Sequence, residues 1–193
     1  MKKTFLLMAA LIIAAAAAAQ FPAFPLSTSG SNIVDANGKT IRLQSVNWFG
    51  CESGEFVVGG LDHQPMENIV RQIKEIGFNS LRLPFCNELI DKNPTIQDQY
   101  IAANPQLKGK TALEIMDILI DLCGRYGIMV ILDCHRGVGD WCCDLDHGDG
   151  LWHTKQYSEE QFFKHWRLVA ERYKSRPYVV ACELRNEVRR DNI

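Results

Sequence analysis

Residues 111–135 read TALEIMDILIDLCGRYGIMVILDCH and join a predicted helix to a predicted strand. Thr111 and Glu114 fit a capping box, in which a hydroxyl and a carboxylate satisfy free backbone amides of the first helical turn. Apolar residues then recur at helical spacing as far as Gly127, which marks the predicted end of the helix. The run Ile128–Leu132 is apolar throughout, as is typical of a strand buried on both faces of a parallel sheet.

The same unit occurs on both sides of this stretch. Upstream, a helix is predicted from Pro65 to Gly77, and a short strand follows at Asn79–Pro84. The apolar face of that helix consists of Met66, Ile69, Val70, Ile73 and Ile76. Downstream, a second capping-box pattern begins at Ser158, and the helix it starts precedes an apolar strand at Tyr178–Cys182.

The first strand of the series is predicted at Leu43–Trp48, after a hairpin. Asn37 and Gly38 lie between two alternating runs, Asn32–Asp35 and Lys39–Leu43. Asn-Gly is a strong hairpin signal because both residues tolerate positive φ. The chain then alternates four strands with three helices, which is the pattern of a parallel sheet with right-handed crossovers.

This order fits either a doubly wound sheet or a TIM barrel. The first strand is not followed by a glycine-rich phosphate-binding motif, which weakens the doubly wound interpretation. Polar and aromatic residues follow each strand, at the end where barrel enzymes build their sites. We therefore expect an α/β fold that is an incomplete (β/α)8 TIM barrel, because a whole barrel has eight strands and about 250 residues.

The composition limits the partners that the chain can have. Its formal net charge is -2 over 193 residues, which gives no electrostatic reason to expect binding to nucleic acid or to an anionic membrane surface. A neutral substrate suits this balance. The seven cysteines show no zinc-ligand spacing, so neither a metal nor another cofactor is expected.

The N-terminus has the pattern of a secretory signal. Residues 1–19 are predicted to be a signal peptide, because two lysines precede an alanine-rich apolar run and Ala17 and Ala19 fit the small-residue cleavage pattern. A membrane span needs about 20 strongly apolar residues, and the run from Phe5 to Ala19 is shorter and mostly alanine. We therefore expect no stable membrane anchor, and extracellular secretion of a single domain, 20–193.

Cysteines in a secreted chain can form disulfides, and the adjacent pair Cys142–Cys143 in a polar loop is the favoured region for one. Cys86, Cys134 and Cys182 lie in or just after apolar runs, which predicts buried thiols.

Side chains suited to chemistry follow all four predicted strands. They lie at Asn47–Glu52, at Arg82, at Asp133–Gly137 and at Glu183–Glu187. Each of these groups alone is weak evidence, because an isolated arginine or histidine is more often a structural partner. The carboxyl ends of barrel strands meet at one mouth, so together they predict a site.

Glycoside hydrolysis is the reaction that these groups suit. It needs a carboxylic acid to protonate the departing oxygen and a carboxylate to attack or to activate water. Glu187 suits the acid role, and Asn186 can hydrogen-bond a sugar 2-hydroxyl. Trp48, Trp141 and Trp152 either offer flat faces on which sugar rings stack or pack beneath a long loop, and both interpretations are open.

The segment Leu184-Arg-Asn-Glu187 resembles the acid/base motif of glycoside hydrolase family 5, the cellulase family of (β/α)8 barrels. Three further segments resemble that family in order and spacing: Ser45–Gly50, Leu81–Pro84 and Leu132–His135. The loop at Trp141–Cys143 resembles a plant-type cellulase-like branch. The similarity extends over nearly the whole mature chain.

The resemblance implies a role for each matching residue. Glu187 would be the general acid and then the base, and Asn186 would bind the 2-hydroxyl. Arg82 would support the nucleophile electrostatically, and His135 would contact the substrate or the hydrogen-bond network of the site. The implied enzyme is a retaining β-glycosidase of the endoglucanase type that acts on a β-linked polysaccharide or oligosaccharide.

The family's nucleophile is a second glutamate at the end of the seventh strand, and no residue up to Ile193 matches it. The chain is therefore expected to be the N-terminal half of a catalytic barrel and to hydrolyse little by itself. Two alternatives remain: a carbohydrate-binding chain without catalysis, and a half-barrel that dimerises to bury its open sheet edges.

Overall fold

The computed structural model describes residues 21–141 and 148–189 of the chain. The predicted signal peptide and the pair Cys142–Cys143 lie outside the described residues.

A small antiparallel sheet precedes the main one. Its strands, in the order β1-β2-β3, are β1 (Ser27–Ser29), β2 (Asn32–Val34) and β3 (Thr40–Ile41). The hairpin predicted at Asn37-Gly38 is confirmed, with Gly38 at a φ of 78°. The Asp35 carboxylate stabilises the turn, because it accepts hydrogen bonds of 2.9 Å from the backbone N–H groups of Asn37 and Lys39. Strand β1 is polar and was not predicted.

The main sheet consists of four parallel strands in the order β4-β5-β6-β7. They are β4 (Ser45–Asn47), β5 (Ser80–Cys86), β6 (Met129–Arg136) and β7 (Val179–Glu183). The helices are α1 (Met66–Ile76), α2 (Asn87–Lys92), α3 (Ala112–Arg125) and α4 (Glu159–Tyr173). The predicted alternation of strands and helices is confirmed, and the short helix α2 is an addition to it.

Local signals set the helix ends as the sequence predicts. Thr111 and Ser158 each complete a capping box, at the start of α3 and of α4. Gly77 ends α1 in the left-handed conformation at a φ of 106°. The assignment of Ile76 to the apolar face of α1 was wrong, because its side chain is 73% exposed. The buried residues of α1 are Met66, Val70 and Ile73, and Ile76 lies to one side of this stripe.

Strand β5 continues two residues beyond Pro84, where the sequence predicted its end. The backbone N–H of Trp48 donates to the carbonyl of Arg82 at 3.1 Å, and this bond is the last between β4 and β5. In a parallel ladder the next donor on this side of β5 would be residue 84. Proline has no N–H to donate, so pairing with β4 ends there while pairing with β6 continues.

The core lies between the main sheet and its helices. Leu81 and Leu83 of β5 and Val130 and Leu132 of β6 are at most 1% exposed. Cys86 and Cys134 are buried as predicted, but the prediction for Cys182 was wrong, because this thiol is exposed. It lies on β7, the last strand of the sheet, and no helix of the described residues follows β7. Within the described ranges, no helix is long and apolar enough to cross a membrane.

The turn after β4 supplies a test of this architecture. Gly50 has a φ of 129°, and an added Cβ would lie 2.2 Å from the carbonyl oxygen of Val57. Gly38 also has positive φ, but open space surrounds it. We expect Gly50→Ala to lower the free energy of unfolding by about 3 kcal/mol, from strain and overlap together. Gly38→Ala should cost about 1 kcal/mol from backbone strain alone. Urea unfolding measures both, and equal losses would contradict this account.

Candidate active site

The parallel register brings the predicted residues to one edge of the sheet. Asn47 of β4 lies beside Arg82 of β5, and Asp133 of β6 lies beside Glu183 of β7. Successive side chains of a strand point to opposite faces, and these four side chains lie on the same face, because they bond to one another. This face would line the inside of a closed barrel.

Arg82 is the centre of the cluster. Its Nε and Nη2 atoms donate to the two carboxylate oxygens of Glu183, each at 2.8 Å. Its Nη1 donates to Oδ1 of Asn47 at 2.8 Å. Nη2 also lies 2.9 Å from Oδ1 of Asn186 and 2.9 Å from Oδ2 of Asp133. One guanidinium therefore contacts all three other strands and the loop that follows the last of them.

The ion pair between Arg82 and Glu183 changes the acidity of both groups. The hydrogen bonds from Arg82 lower the pKa of the Glu183 carboxyl, against the opposing effect of its partial burial. The same bond to Glu183 raises the pKa of the Arg82 guanidinium. Both groups are therefore held in their charged forms at neutral pH.

His135 and Asn186 join this cluster as predicted. Nδ1 of His135 lies 2.7 Å from Oδ2 of Asp133. Its Nε2 lies 3.3 Å from Nδ2 of Asn186. The backbone N–H of Asn186 donates to the carbonyl of Cys134 at 3.1 Å. This backbone bond fixes the loop after β7 next to the end of β6.

Glu187 follows Asn186 directly and points outward. Its φ is 43°, in the left-handed region, and its side chain is 76% exposed. Among the described residues, its carboxylate forms an ion pair with Arg189 at 4.0 Å, outside the Arg82 cluster. The Glu187 carboxylate is thus accessible to solvent, one residue beyond the cluster in sequence.

The side chain of Arg185 fixes the backbone around Glu187. It is 5% exposed and donates to the carbonyls of His135 and Asn186. It also donates to the carbonyl of Asp149 and forms an ion pair with the Asp149 carboxylate at 3.2 Å. The loop after β7 is therefore tied to the loop after β6.

The loop after β6 is anchored from several sides. The Asp149 carboxylate accepts from the backbone N–H of Gly137 at 2.9 Å and lies 3.4 Å from Nε of Arg136. The Glu88 carboxylate accepts from the N–H of Gly139 at 2.8 Å. Nη1 of Arg136 donates to the carbonyl of Trp141 at 2.6 Å. These contacts hold the backbone from which Trp141 projects.

The three tryptophans differ in exposure. Trp48 is 7% exposed within the core, and its indole N–H donates to the carbonyl of Gly59 at 2.9 Å. Its burial contradicts the stacking interpretation and supports packing, because neither ring face is open to a sugar. Trp141 is 64% exposed, and Phe49 contacts it edge-to-face at 5.4 Å between ring centroids. Trp152 is 37% exposed, and its N–H donates to Glu159.

Three groups of this site were not assigned roles from the sequence. Asp133 and Glu183 bind Arg82, and Phe49 forms an exposed pair with Trp141. All three lie directly after the strands predicted from the sequence, so their position was a signal. Their partners depend on strand register, which the sequence does not specify. Among the described residues, no cluster of three or more metal-ligating side chains is present.

Comparison with known proteins gives one consistent result. The family model described as cellulase (glycosyl hydrolase family 5) matches residues 34–193. An endoglucanase of Paenibacillus polymyxa is 35% identical over 196 residues, which cover 97% of this chain and 48% of that protein. The major extracellular endoglucanase of Xanthomonas campestris pv. campestris is 36% identical over 167 residues, which cover 86% of this chain and 33% of that protein.

Solved structures agree with these relatives. The chain matches an endocellulase of Pyrococcus horikoshii, determined in complex with cellotetraose, with a TM-score of 0.73 and 36% identity over 86% of this chain and 44% of that one. The catalytic domain of the Xanthomonas endoglucanase matches with a TM-score of 0.73 and 35% identity over 83% of this chain and 45% of that one. Both are (β/α)8 barrels, which confirms the predicted fold class.

The chain spans half or less of the length of these relatives, and the matched part is a partial barrel. The sequence segments that resemble the family lie in or directly after the four parallel strands, and the family model covers all of them. The chain belongs to glycosyl hydrolase family 5, the cellulase family.

Proposed function

We propose that this chain is the N-terminal half of a catalytic domain that hydrolyses β-linked glucan chains, with Glu187 as its general acid/base. The observation that carries the proposal is the exposed carboxylate of Glu187, which directly follows Asn186 of the Arg82 cluster in sequence. Family membership supports the reaction type.

The proton transfers and the contacts with the sugar have groups suited to them in this chain. The Glu187 carboxyl donates its proton to the departing glycosidic oxygen and then, as a carboxylate, accepts a proton from water. Asn186 hydrogen-bonds the 2-hydroxyl of the sugar, a contact that strengthens in the transition state. Trp141 and Phe49 offer the apolar edge against which a further sugar ring packs.

A retaining enzyme also needs a nucleophilic carboxylate about 5 Å from the acid. We assign this carboxylate to the part of the relatives that the chain does not span. Four of the five N–H groups of Arg82 have partners in this chain. Nε and one Nη2 hydrogen bond to Glu183, the other Nη2 hydrogen bonds to Asn186, and one Nη1 hydrogen bonds to Asn47. The remaining Nη1 hydrogen is suited to stabilise that nucleophile.

The same proposal covers substrate and location. An endocellulase with the same partial fold was determined in complex with cellotetraose, which supports a β-glucan oligosaccharide as the ligand. A relative is named as the major extracellular endoglucanase, which supports secretion through the predicted signal at residues 1–19.

The role of Glu187 is tested on a longer product of the same reading frame that hydrolyses carboxymethylcellulose. We expect Glu187→Gln to lower kcat by about 10²–10⁴-fold, because the amide cannot donate the proton. The loss in kcat/KM should be much smaller on a dinitrophenyl cellobioside, whose leaving group departs without protonation. Glu171→Gln, an exposed carboxylate on α4, is the matched control. Unchanged hydrolysis of cellulose by Glu187→Gln would contradict the assignment.

Measurements on the 193-residue chain distinguish the enzyme proposal from the carbohydrate-binding and dimer alternatives. We expect it to hydrolyse little carboxymethylcellulose, while the longer product is active. Sugar binding without activity in either chain would favour the binding alternative. A defined dimer at micromolar concentration, measured by analytical ultracentrifugation, would favour the dimerising half-barrel.

The tryptophans provide a separate test, which calorimetric titration with cellotetraose measures. Trp141→Ala should weaken binding by about fivefold, which corresponds to about 1 kcal/mol for the loss of one stacking face. Trp48→Ala should instead lower the free energy of unfolding by about 3 kcal/mol, because it empties a site in the core. Equal effects of both substitutions on affinity would contradict the distinction between them.

A further inference from the structure

Three hydrogen bonds and one ion pair around His135 form a closed ring, whose donors and acceptors can be assigned one after another. Arginine has five N–H donors and no acceptor. The atom of Asn186 that lies 2.9 Å from Nη2 of Arg82 must therefore be its carbonyl oxygen. This assignment fixes the orientation of the Asn186 amide.

The amide orientation in turn determines which nitrogen of His135 carries the proton. With Oδ1 of Asn186 towards Arg82, its Nδ2 faces Nε2 of His135 at 3.3 Å. An amide nitrogen only donates, so Nε2 must be the acceptor of this bond. In the neutral ring the proton then lies on Nδ1.

Asp133 closes the ring. Its Oδ2 accepts a hydrogen bond from Nδ1 of His135 at 2.7 Å and forms an ion pair with Nη2 of Arg82 at 2.9 Å. The side chain is completely buried. Its other oxygen, Oδ1, has no hydrogen-bond partner in the described structure. A carboxylate in this position is costly to bury, and its contacts are those that hold His135 and Arg82.

We infer that Asp133 is a positioning residue: it accepts from Nδ1–H of His135 and so, together with Arg82, holds the tautomer in which Nε2 accepts from the Asn186 amide. The ring uses one of the two Nδ2 hydrogens of Asn186 and leaves the second for a ligand. The assignment of that ligand rests on the proposed function. If the ligand is the sugar, the second Nδ2 hydrogen of Asn186 donates to the oxygen of the 2-hydroxyl.

The tautomer is measured directly by nitrogen-15 NMR of the histidine rings in the 193-residue chain, without substrate or activity. Spectra are recorded at about pH 8, above the ordinary histidine range, and His135 is identified by its loss in His135→Gln. We expect wild-type His135 to show a protonated Nδ1 and an unprotonated Nε2. A protonated Nε2 as the main neutral form would overturn the inference.

Two variants test the parts of the ring. Asp133→Ala removes the acceptor at Nδ1, and we expect a substantial Nε2–H population to appear. A ring that stays fully in the Nδ1–H form would show that Asp133 does not position it. Asp117→Ala is the matched control, because Asp117 of α3 pairs with Arg172 at 2.5 Å outside the cluster; it should leave the tautomer unchanged.

Asn186→Asp keeps the test decisive if Asp133→Ala does not fold. The new carboxylate can still accept from Arg82, but it now presents an acceptor to Nε2 of His135. We expect a protonated Nε2 in this variant, and an unchanged His135 spectrum would overturn the ring. These spectra are independent of Glu187, so failure of the proposed catalytic role and failure of the ring are distinguishable.

Discussion

The guanidinium of Arg82 bonds to side chains from each of the other strands of the parallel sheet. Its partners are Asn47 on β4, Asp133 on β6 and Glu183 on β7. A planar fork of five donors suits this arrangement, since each donor has a fixed direction. The positions of the strand ends and the charges of the site are therefore set by the same group, and lysine could not replace it because it has three donors and no fork.

Around this cluster the loops are held by contacts between distant parts of the chain. Arg185 and Asp149 join the loops after β7 and β6, and Glu88 of α2 binds the backbone of Gly139. An added Cβ at Gly139 would lie 2.4 Å from the ring of Phe56, so the backbone approaches another loop closely at this point. The exposed Trp141 and Glu187 thus project from well-anchored backbone, which favours a preformed binding surface.

The sequence predicts what depends on local chemistry. Both capping boxes, the Gly77 helix end and the Asn-Gly hairpin were confirmed, because each needs only residues within a few positions of one another. Convergence of Arg82, His135 and Asn186 was also predictable, because carboxyl ends of parallel strands meet at one edge.

The remaining features depend on long-range packing. The burial of Trp48 depends on how the loop that follows β4 folds back, since its indole bonds to Gly59. Glu183 could be paired with Arg82 only once the strand register was known, and the two residues are 101 positions apart. The exposure of Cys182 follows from its place on the last strand of the sheet, which an apolar run alone does not reveal.

Pro84 has a consequence for the shape of the mouth. Because it donates no hydrogen bond towards β4, the chain after Trp48 is released from the sheet while β5 and β6 remain paired as far as Cys86. Phe49 of the released chain is 46% exposed, whereas Gly50 is buried against the backbone of Val57. One missing hydrogen atom thus leaves β5 with a short partner strand on one side and a longer one on the other, so the carboxyl edge of the sheet is stepped beside Arg82.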